Sequence, residues 1–209
     1  MPPAFSPTFR EELHRLLAWR RDVRHFRRDP LPPGTIERLL ALVELAPSVG
    51  NAQPWRFVRI AEPALRERLA AHVDAASETA ATAIEGGRVG AYRALKLHGL
   101  REAPEALAVF SDEAPAAGHG LGIATMHEAL RYSTVMAIHT LWLAARAEGI
   151  GVGWVSILDP LAVCRMLAVP EHWTLVGLLC LGHPEVESEV PELERRGWQS
   201  REPVRVETR

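Results

Sequence analysis

Three arginines surround one aspartate near the start of the chain, in the run Arg20-Arg21-Asp22-Val23-Arg24. Guanidinium groups held this close repel one another unless an anion offsets their charge, and phosphate is an anion that clustered arginines bind well. From spacing alone, a solvated helix end in which Arg21 or Arg24 pairs with Asp22 is an equally good interpretation. The carboxylate is the unexpected member, because an acid beside a phosphate is useful only if it has a different task.

A polar loop follows and ends in a Pro-Trp pair just before a predicted strand. It contains Ser48, Asn51 and Gln53. Ser48 and, much later in the chain, Ser156 are serines that could serve as nucleophiles. Neither lies in the G-x-S-x-G pattern, so a hydrogen-bonding role is favoured for both.

Glycines alternate along Gly149-Ile150-Gly151-Val152-Gly153. The spacing is wrong for a dinucleotide-binding G-x-G-x-x-G, and the run lies within a predicted strand instead of opening a helix. Glycines in a strand allow a ligand or another backbone to approach closely, which would suit a flat cofactor over residues 153–156. The histidines, including His119 and His127, lack the spacing of metal ligands, so we expect no metal site.

The composition is that of one globular domain spanning residues 1–209, with 47% hydrophobic residues and a net charge of −2. A near-neutral chain lacks the basic face that nucleic-acid binding requires. Cys164 and Cys180 stand in apolar surroundings and are expected to be free thiols. No apolar run reaches the roughly 20 residues of a membrane span. Residues 1–5 do not have the form of a signal peptide, so we expect a cytoplasmic protein.

Apolar periodicity predicts helices that alternate with four strands. The first helix begins at Ser6-Pro7, where Ser6 is the expected cap, and carries Phe9, Leu13, Leu16 and Leu17 on one face. The other helices are expected from near 33 to 46, over 63–84, 88–98, 128–148 and 160–168, with Asp159 capping the last. The strands are expected at 55–61, 106–111, 150–157 and 174–182. This order predicts an α+β domain in which helices wrap one central sheet.

Three segments point beyond a simple domain. The helix over 128–148 is apolar nearly all round, which indicates burial on every side, either at the centre of the fold or against a second subunit. The stretch over 112–126 is long and rich in glycine and proline, as expected of a functional loop or lid. From about residue 183 the chain is charged and proline-rich, and we expect an arm that lies over a partner subunit.

Taken together, these segments resemble the FMN-dependent nitroreductase superfamily. The shared pattern is Arg-Arg-x-x-Arg, then Pro-Ser-x-x-Asn-x-Gln-Pro-Trp, then a buried helix followed by Gly-x-Gly. Most members have serine where this chain has Asp22. Aspartate there, with Gly-Trp-Val-Ser ending at Ser156, resembles the BluB branch, the 5,6-dimethylbenzimidazole synthases of cobalamin biosynthesis. The resemblance covers about residues 18–201 and implies an intertwined homodimer with a mixed or antiparallel sheet and two FMN sites at its interface.

The resemblance also implies roles for particular residues. FMN binding would fall to Arg20, Arg21, Arg24, Ser48, Asn51, Gln53, Lys96, Gly153 and Arg201, the arginines holding the phosphate and ribityl end. Reduced FMN would be the substrate, converted with O2 to 5,6-dimethylbenzimidazole with release of erythrose 4-phosphate. Asp22 would move protons beside the flavin, and Ser156 would hydrogen-bond it. A lid over the site would exclude water.

An NAD(P)H-dependent nitroreductase or flavin reductase is the alternative that the shared pattern leaves open. Asn51 after Val49-Gly50, and His25-Phe26 after Arg24, are compatible with the wider superfamily. The sequence shows no nicotinamide motif either way, and it leaves open whether the protein reduces flavin itself. If a partner flavin reductase supplies reduced FMN, NAD(P)H would enter indirectly.

Overall fold

The structure is a computed structural model and describes residues 4–209, so the first three residues of the expected non-signal start lie outside it. Four strands form one sheet in the order β1-β2-β4-β3, and each neighbouring pair is antiparallel. The strands are β1 (Trp55–Arg59), β2 (Glu105–Asp112), β3 (Gly151–Val155) and β4 (Trp173–Gly182). The helices are α1 (Pro7–Trp19), α2 (Thr35–Val43), α3 (Pro63–Ala81), α4 (Val89–Arg93), α5 (Ala129–Ala147), α6 (Pro160–Leu167) and α7 (Glu192–Arg195). The α+β prediction is confirmed.

Helices cover both faces of the sheet. On one face Leu69 of α3 and Val163 of α6 pack with Phe110 of β2, and on the other Leu39 of α2 and Leu141 of α5 complete a second cluster. β2 is buried on both faces, as its weak alternation predicted. β3 is the outermost strand beside β4, and the chain before α2 runs along its free edge.

Two helix caps form where the sequence predicts them, whereas one helix is shorter than predicted. The Ser6 hydroxyl accepts from the Phe9 N–H at 3.1 Å, and Asp159 accepts from the Leu161 N–H at 2.9 Å. The helix predicted over 88–98 ends at Arg93. Downstream, Gly99 lies so close to the Phe26 ring that an added Cβ would clash with it, so only glycine fits there.

The long helix α5 is not buried on every side. Its inner face is buried, but Tyr132, Val135 and Met136 are exposed. Helix α1 has no buried residue at all and exposes Phe9 and Leu17. Both helices therefore present apolar side chains that this chain does not cover.

The first part of the arm expected from about residue 183 packs on its own chain, and its contact with a partner subunit stays a prediction. The Glu185 N–H donates to the His25 carbonyl at 3.1 Å, and Arg146 of α5 pairs with Glu187 at 2.8 Å. The sequence did not reveal that these charged residues pair within their own chain. Residues 199–209 have no regular secondary structure and are exposed. Among the described residues, no helix is long and apolar enough to cross a membrane.

Candidate active site

The segment that carries Asp22 lies against the free edge of β3. The Val23 N–H donates to the Val152 carbonyl at 3.0 Å, and Asp22 pairs with Val152 in a parallel bridge. Further along the same edge, the Trp154 N–H donates to Oδ1 of Asp22 at 2.9 Å. The carboxylate therefore satisfies a strand N–H that has no partner strand, which fixes its position relative to the sheet.

Two opposing influences act on the pKa of Asp22. Its Oδ2 accepts from Nε of Arg24 at 2.8 Å, and 30% of its side chain remains accessible. Burial raises the pKa of Asp22 above its usual value of 3.8, and this outweighs the charge of Arg24 and the Trp154 N–H, which lower it. A carboxyl group with a raised pKa can both take up and give back a proton, as a general acid and base must.

The raised pKa predicts how stability changes with pH. The folded chain binds the Asp22 proton more tightly than the unfolded chain does, so this contribution is fully present below pH 3.8 and is lost as the pH rises through the folded-state pKa. The free energy of unfolding of the wild type minus that of Asp22→Asn should therefore fall as the pH increases. Urea titrations of the flavin-free protein at several pH values test this. Asp29→Asn, at an exposed aspartate paired with Arg27, is the control, and an equal slope for both variants would contradict the prediction.

Arg20, Arg21 and Arg201 influence one another's charge and have no carboxylate salt-bridge partner among residues 4–209. Burial lowers the pKa of Arg20, against the charge of Asp22, and Arg201 lowers it further. Burial and the charges of Arg201 and Arg20 lower the pKa of Arg21, against Glu189 and Glu194, which raise it. Within residues 4–209, no carboxylate forms a salt bridge with any of the three, whereas Arg24 is engaged with Asp22. Such a group of like charges favours a bound anion. Because Arg24 is hydrogen-bonded to Asp22, we use the name cationic cluster for Arg20, Arg21 and Arg201 alone.

Trp142 of α5 supports this cluster and was missed by the sequence reasoning. The guanidinium of Arg20 lies 4.9 Å from the centre of its ring, and its Nε1 donates to the Arg21 carbonyl at 3.2 Å. In the sequence Trp142 is only one more apolar residue of a helix, so no pattern singles it out.

The polar loop before β1 has an unusual backbone. Gly50, Asn51 and Gln53 have φ values of 53°, 54° and 46°. The Ser48 hydroxyl accepts from the Gln53 N–H at 3.1 Å, and Ser133 of α5 accepts from the Val49 N–H at 3.0 Å. Left-handed conformations at two non-glycine residues cost free energy and persist where the surroundings enforce them, which is typical of binding sites.

The predicted lid packs on this loop. Its described course runs through turns between Asp112, the last residue of β2, and α5. A Cβ at Gly50 would lie 2.8 Å from the Leu121 carbonyl, and one at Gly118 would lie 2.7 Å from the Ala52 side chain. The glycines are therefore required for the lid and the loop to meet.

The remaining predicted site residues differ in their positions and contacts. Ser156 is exposed and follows the end of β3, two residues or roughly 7 Å beyond Trp154. Lys96 approaches Arg24 through its carbonyl, which accepts from Nη1 at 3.4 Å, while its ammonium pairs with Glu102 at 3.2 Å. Gly153 is buried, and a Cβ there would lie 2.0 Å from the Val23 carbonyl. The close approach at Gly153 is thus made by the chain's own backbone, one of the two uses expected of a strand glycine, and a flat cofactor over residues 153–156 stays a prediction.

Sequence comparison identifies the family. The profile of the nitroreductase family matches residues 17–183. A 5,6-dimethylbenzimidazole synthase of Rhodospirillum rubrum is 58% identical over 96% of this chain and 95% of its own length. Another from Rhodobacter capsulatus is 52% identical over 98% of this chain and 99% of its own. The chain belongs to the 5,6-dimethylbenzimidazole synthase branch of the nitroreductase family. The family resemblance inferred from Asp22 is therefore confirmed.

A solved structure agrees with the nitroreductase fold. An iodotyrosine deiodinase bound to FMN and 3-iodo-L-tyrosine superposes with a TM-score of 0.76, at 23% identity, over 94% of this chain and 98% of the other. The residues present here fit FMN by their own chemistry. Arg20, Arg21 and Arg201 have no carboxylate salt-bridge partner within the described chain and match a phosphate, and the strained loop, which contacts α5 at Ser133, offers polar groups.

Proposed function

We infer that the chain is an enzyme that converts reduced FMN and O2 to 5,6-dimethylbenzimidazole, the lower ligand of vitamin B12, with release of erythrose 4-phosphate and of the remaining four-carbon pyrimidine portion of the flavin ring. The branch assignment supports the reaction. The observation in the structure that carries it is Asp22, a carboxyl group with a raised pKa beside an arginine cluster that has no carboxylate partner within residues 4–209.

The direct test is a product assay. The purified protein is mixed with chemically reduced FMN in oxygenated buffer, and the products are analysed by mass spectrometry. We expect 5,6-dimethylbenzimidazole and erythrose 4-phosphate in equal amounts. Simple reoxidation of FMN without either product would refute the proposal, and repeated turnover of a nitroaromatic with NADPH would favour a conventional nitroreductase.

The chain's residues would divide the work between binding and proton transfer. Arg20, Arg21 and Arg201 would hold the phosphate, while the loop of Ser48, Asn51 and Gln53 would line the flavin site. When bound, reduced FMN supplies the carbon skeleton of the product and the electrons that O2 accepts. Asp22, fixed by Arg24 and the Trp154 N–H, would hold and return a proton at its carboxylate oxygens.

Ser156 and the lid would complete the site. Ser156 lies at the end of the strand that positions Asp22, so its hydroxyl is available for a hydrogen bond to the flavin. The lid's contacts with the loop at Gly50 would keep bulk water from the reacting groups. Lys96 and Gly153 would act through their backbones, since the Lys96 ammonium is paired and Gly153 faces Val23.

We further propose that the protein is a homodimer. Helices α1 and α5 contact one another and both expose apolar side chains, which a second copy of the chain would bury. A cytoplasmic location and a separate flavin reductase fit a reaction that consumes reduced flavin.

A charge placed among these exposed side chains should prevent dimerisation. Met136→Asp puts a carboxylate among apolar side chains, and desolvating that carboxylate in the interface is unfavourable, so the dissociation constant should rise by at least about 100-fold. Sedimentation equilibrium measures the change. Leu161→Asp is the matched control, because Leu161 is also exposed but lies on α6. A monomeric wild type, or a Met136→Asp variant that remains dimeric, would contradict the proposal.

A further inference from the structure

Trp142 is fixed between the sheet and the arginine segment. It lies on α5 and is half-buried, and the centre of its ring is 6.4 Å from that of Trp154 on β3. The Trp154 ring in turn covers Gly177 of β4, where an added Cβ would clash with the indole nitrogen. The Trp142 ring therefore packs against a second tryptophan that the sheet holds in place.

The same residue contacts the arginine segment in two ways. Nε1 of its indole donates to the Arg21 carbonyl at 3.2 Å, which fixes the main chain between Arg20 and Asp22 relative to α5. The guanidinium of Arg20 lies over its ring, 4.9 Å from the centre. The attraction between a cation and an aromatic face uses the charge of the guanidinium and none of its hydrogen bonds to an acceptor oxygen. Those hydrogen bonds stay available for another partner.

Of the three arginines in this segment, Arg20 alone has a guanidinium that makes no hydrogen bond within the described chain. Arg21 donates through Nε to the Glu189 carbonyl at 2.6 Å and through Nη1 to the Arg20 carbonyl at 2.7 Å. Arg24 donates through Nε to Asp22 at 2.8 Å. Two of the three are therefore partly committed to the chain itself, whereas Arg20 is oriented by the Trp142 ring and keeps all its donors for a ligand.

We propose that Trp142 is a positioning residue whose ring holds the Arg20 guanidinium ready to receive the phosphate of FMN. Trp142 does not touch the ligand and acts only through Arg20. The gain comes from pre-organisation, because a long side chain that is already held over a ring loses less rotamer entropy when it meets the phosphate. This inference rests on the proposed function only in taking FMN as the ligand.

The test compares two ligands that differ in the phosphate alone. Dissociation constants for chemically reduced FMN and reduced riboflavin are measured anaerobically by calorimetry for the wild type, Trp142→Met and Trp142→Leu. Each variant should bind FMN about fivefold more weakly, as expected for the loss of one half-buried cation–aromatic contact, with riboflavin affinity unchanged. Two aliphatic replacements are made so that the result does not depend on the folding of one of them.

A conservative variant and a double variant separate positioning from packing. Trp142→Phe keeps an aromatic face for Arg20 but lacks the indole N–H, so it should bind FMN within about twofold of the wild type. The double variant Trp142→Met/Arg20→Gln should bind FMN no more weakly than Arg20→Gln alone, because both changes remove the same contact.

Trp19→Met is the matched control. Trp19 is another half-buried tryptophan with a guanidinium over its ring, that of Arg146 at 5.5 Å from the centre, but Arg146 pairs with Glu187. The same substitution there should leave the ratio of the FMN and riboflavin affinities at its wild-type value.

Equal weakening for the two flavins, a Trp142→Phe variant as weak as Trp142→Met, or additive losses in the double variant would overturn the proposal. Binding is measured without oxygen, so the result is independent of the product assay. A protein that shows this coupling but forms no 5,6-dimethylbenzimidazole would retain the positioning role and lose only the proposed reaction.

Discussion

Replacement of Asp22 by asparagine should abolish formation of 5,6-dimethylbenzimidazole while leaving FMN bound. The amide preserves the shape of the side chain and can still accept from the Trp154 N–H, but it cannot take up a proton. Loss of a general acid–base group lowers rates by roughly 100- to 10,000-fold. Product formation by mass spectrometry and FMN affinity by calorimetry, measured on the same preparation, give the two numbers required.

The matched control for this change is Asp29→Asn, which makes the same substitution at an exposed aspartate a few residues away. It should leave both product yield and affinity unchanged. If Asp22→Asn instead loses FMN binding, the role of Asp22 is structural. If it retains product formation, the proton must move through a different group.

Replacement of Gly153 by alanine should damage both the fold and the site. The added methyl group would lie 2.0 Å from the Val23 carbonyl, and the backbone on both sides is held by hydrogen bonds. The segment must therefore move away from β3, at a cost of about 3 kcal/mol in the free energy of unfolding. Because this displaces Asp22 from the Trp154 N–H, product formation should also fall sharply. Urea unfolding and the product assay measure the two effects.

Gly90→Ala is the control for Gly153→Ala. Gly90 lies in α4 with nothing within 4 Å of an added Cβ, so alanine should raise the free energy of unfolding by up to about 1 kcal/mol. A Gly153→Ala variant as stable as the wild type would show that the Val23 segment can shift without loss. Normal product yield in such a variant would separate that packing from the chemistry.

Sequence alone predicts much of the fold because periodicity and caps are local. Ser6 and Asp159 cap their helices as expected, and the burial of β2 follows from its composition. Contacts between distant segments are not encoded in this way. The early end of α4 at Arg93 has no signal in the sequence, and the course of the tail includes ion pairs between distant residues such as Arg146 with Glu187.

The candidate site, too, could be predicted from sequence where its features are local and not where they depend on distant segments. Asp22 and its neighbouring arginines stand together in the sequence, so their joint role can be predicted from spacing and resemblance. The hydrogen bond between Arg24 and Asp22, and the lack of such a partner for Arg20, Arg21 and Arg201 within residues 4–209, can be seen only in coordinates. The same holds for the part of Trp142, whose ring and N–H reach two different arginines.

The bridge between Asp22 and Val152 has a consequence for solubility. β3 is the last strand of the sheet, and an outer strand with open N–H and C=O groups is a template on which other chains can assemble. The Val23 N–H and the Asp22 carboxylate occupy that edge at Val152 and Trp154. The residues that would handle the flavin thus also shield the sheet from aggregation, so variants that release this segment should be judged for self-association as well as for activity.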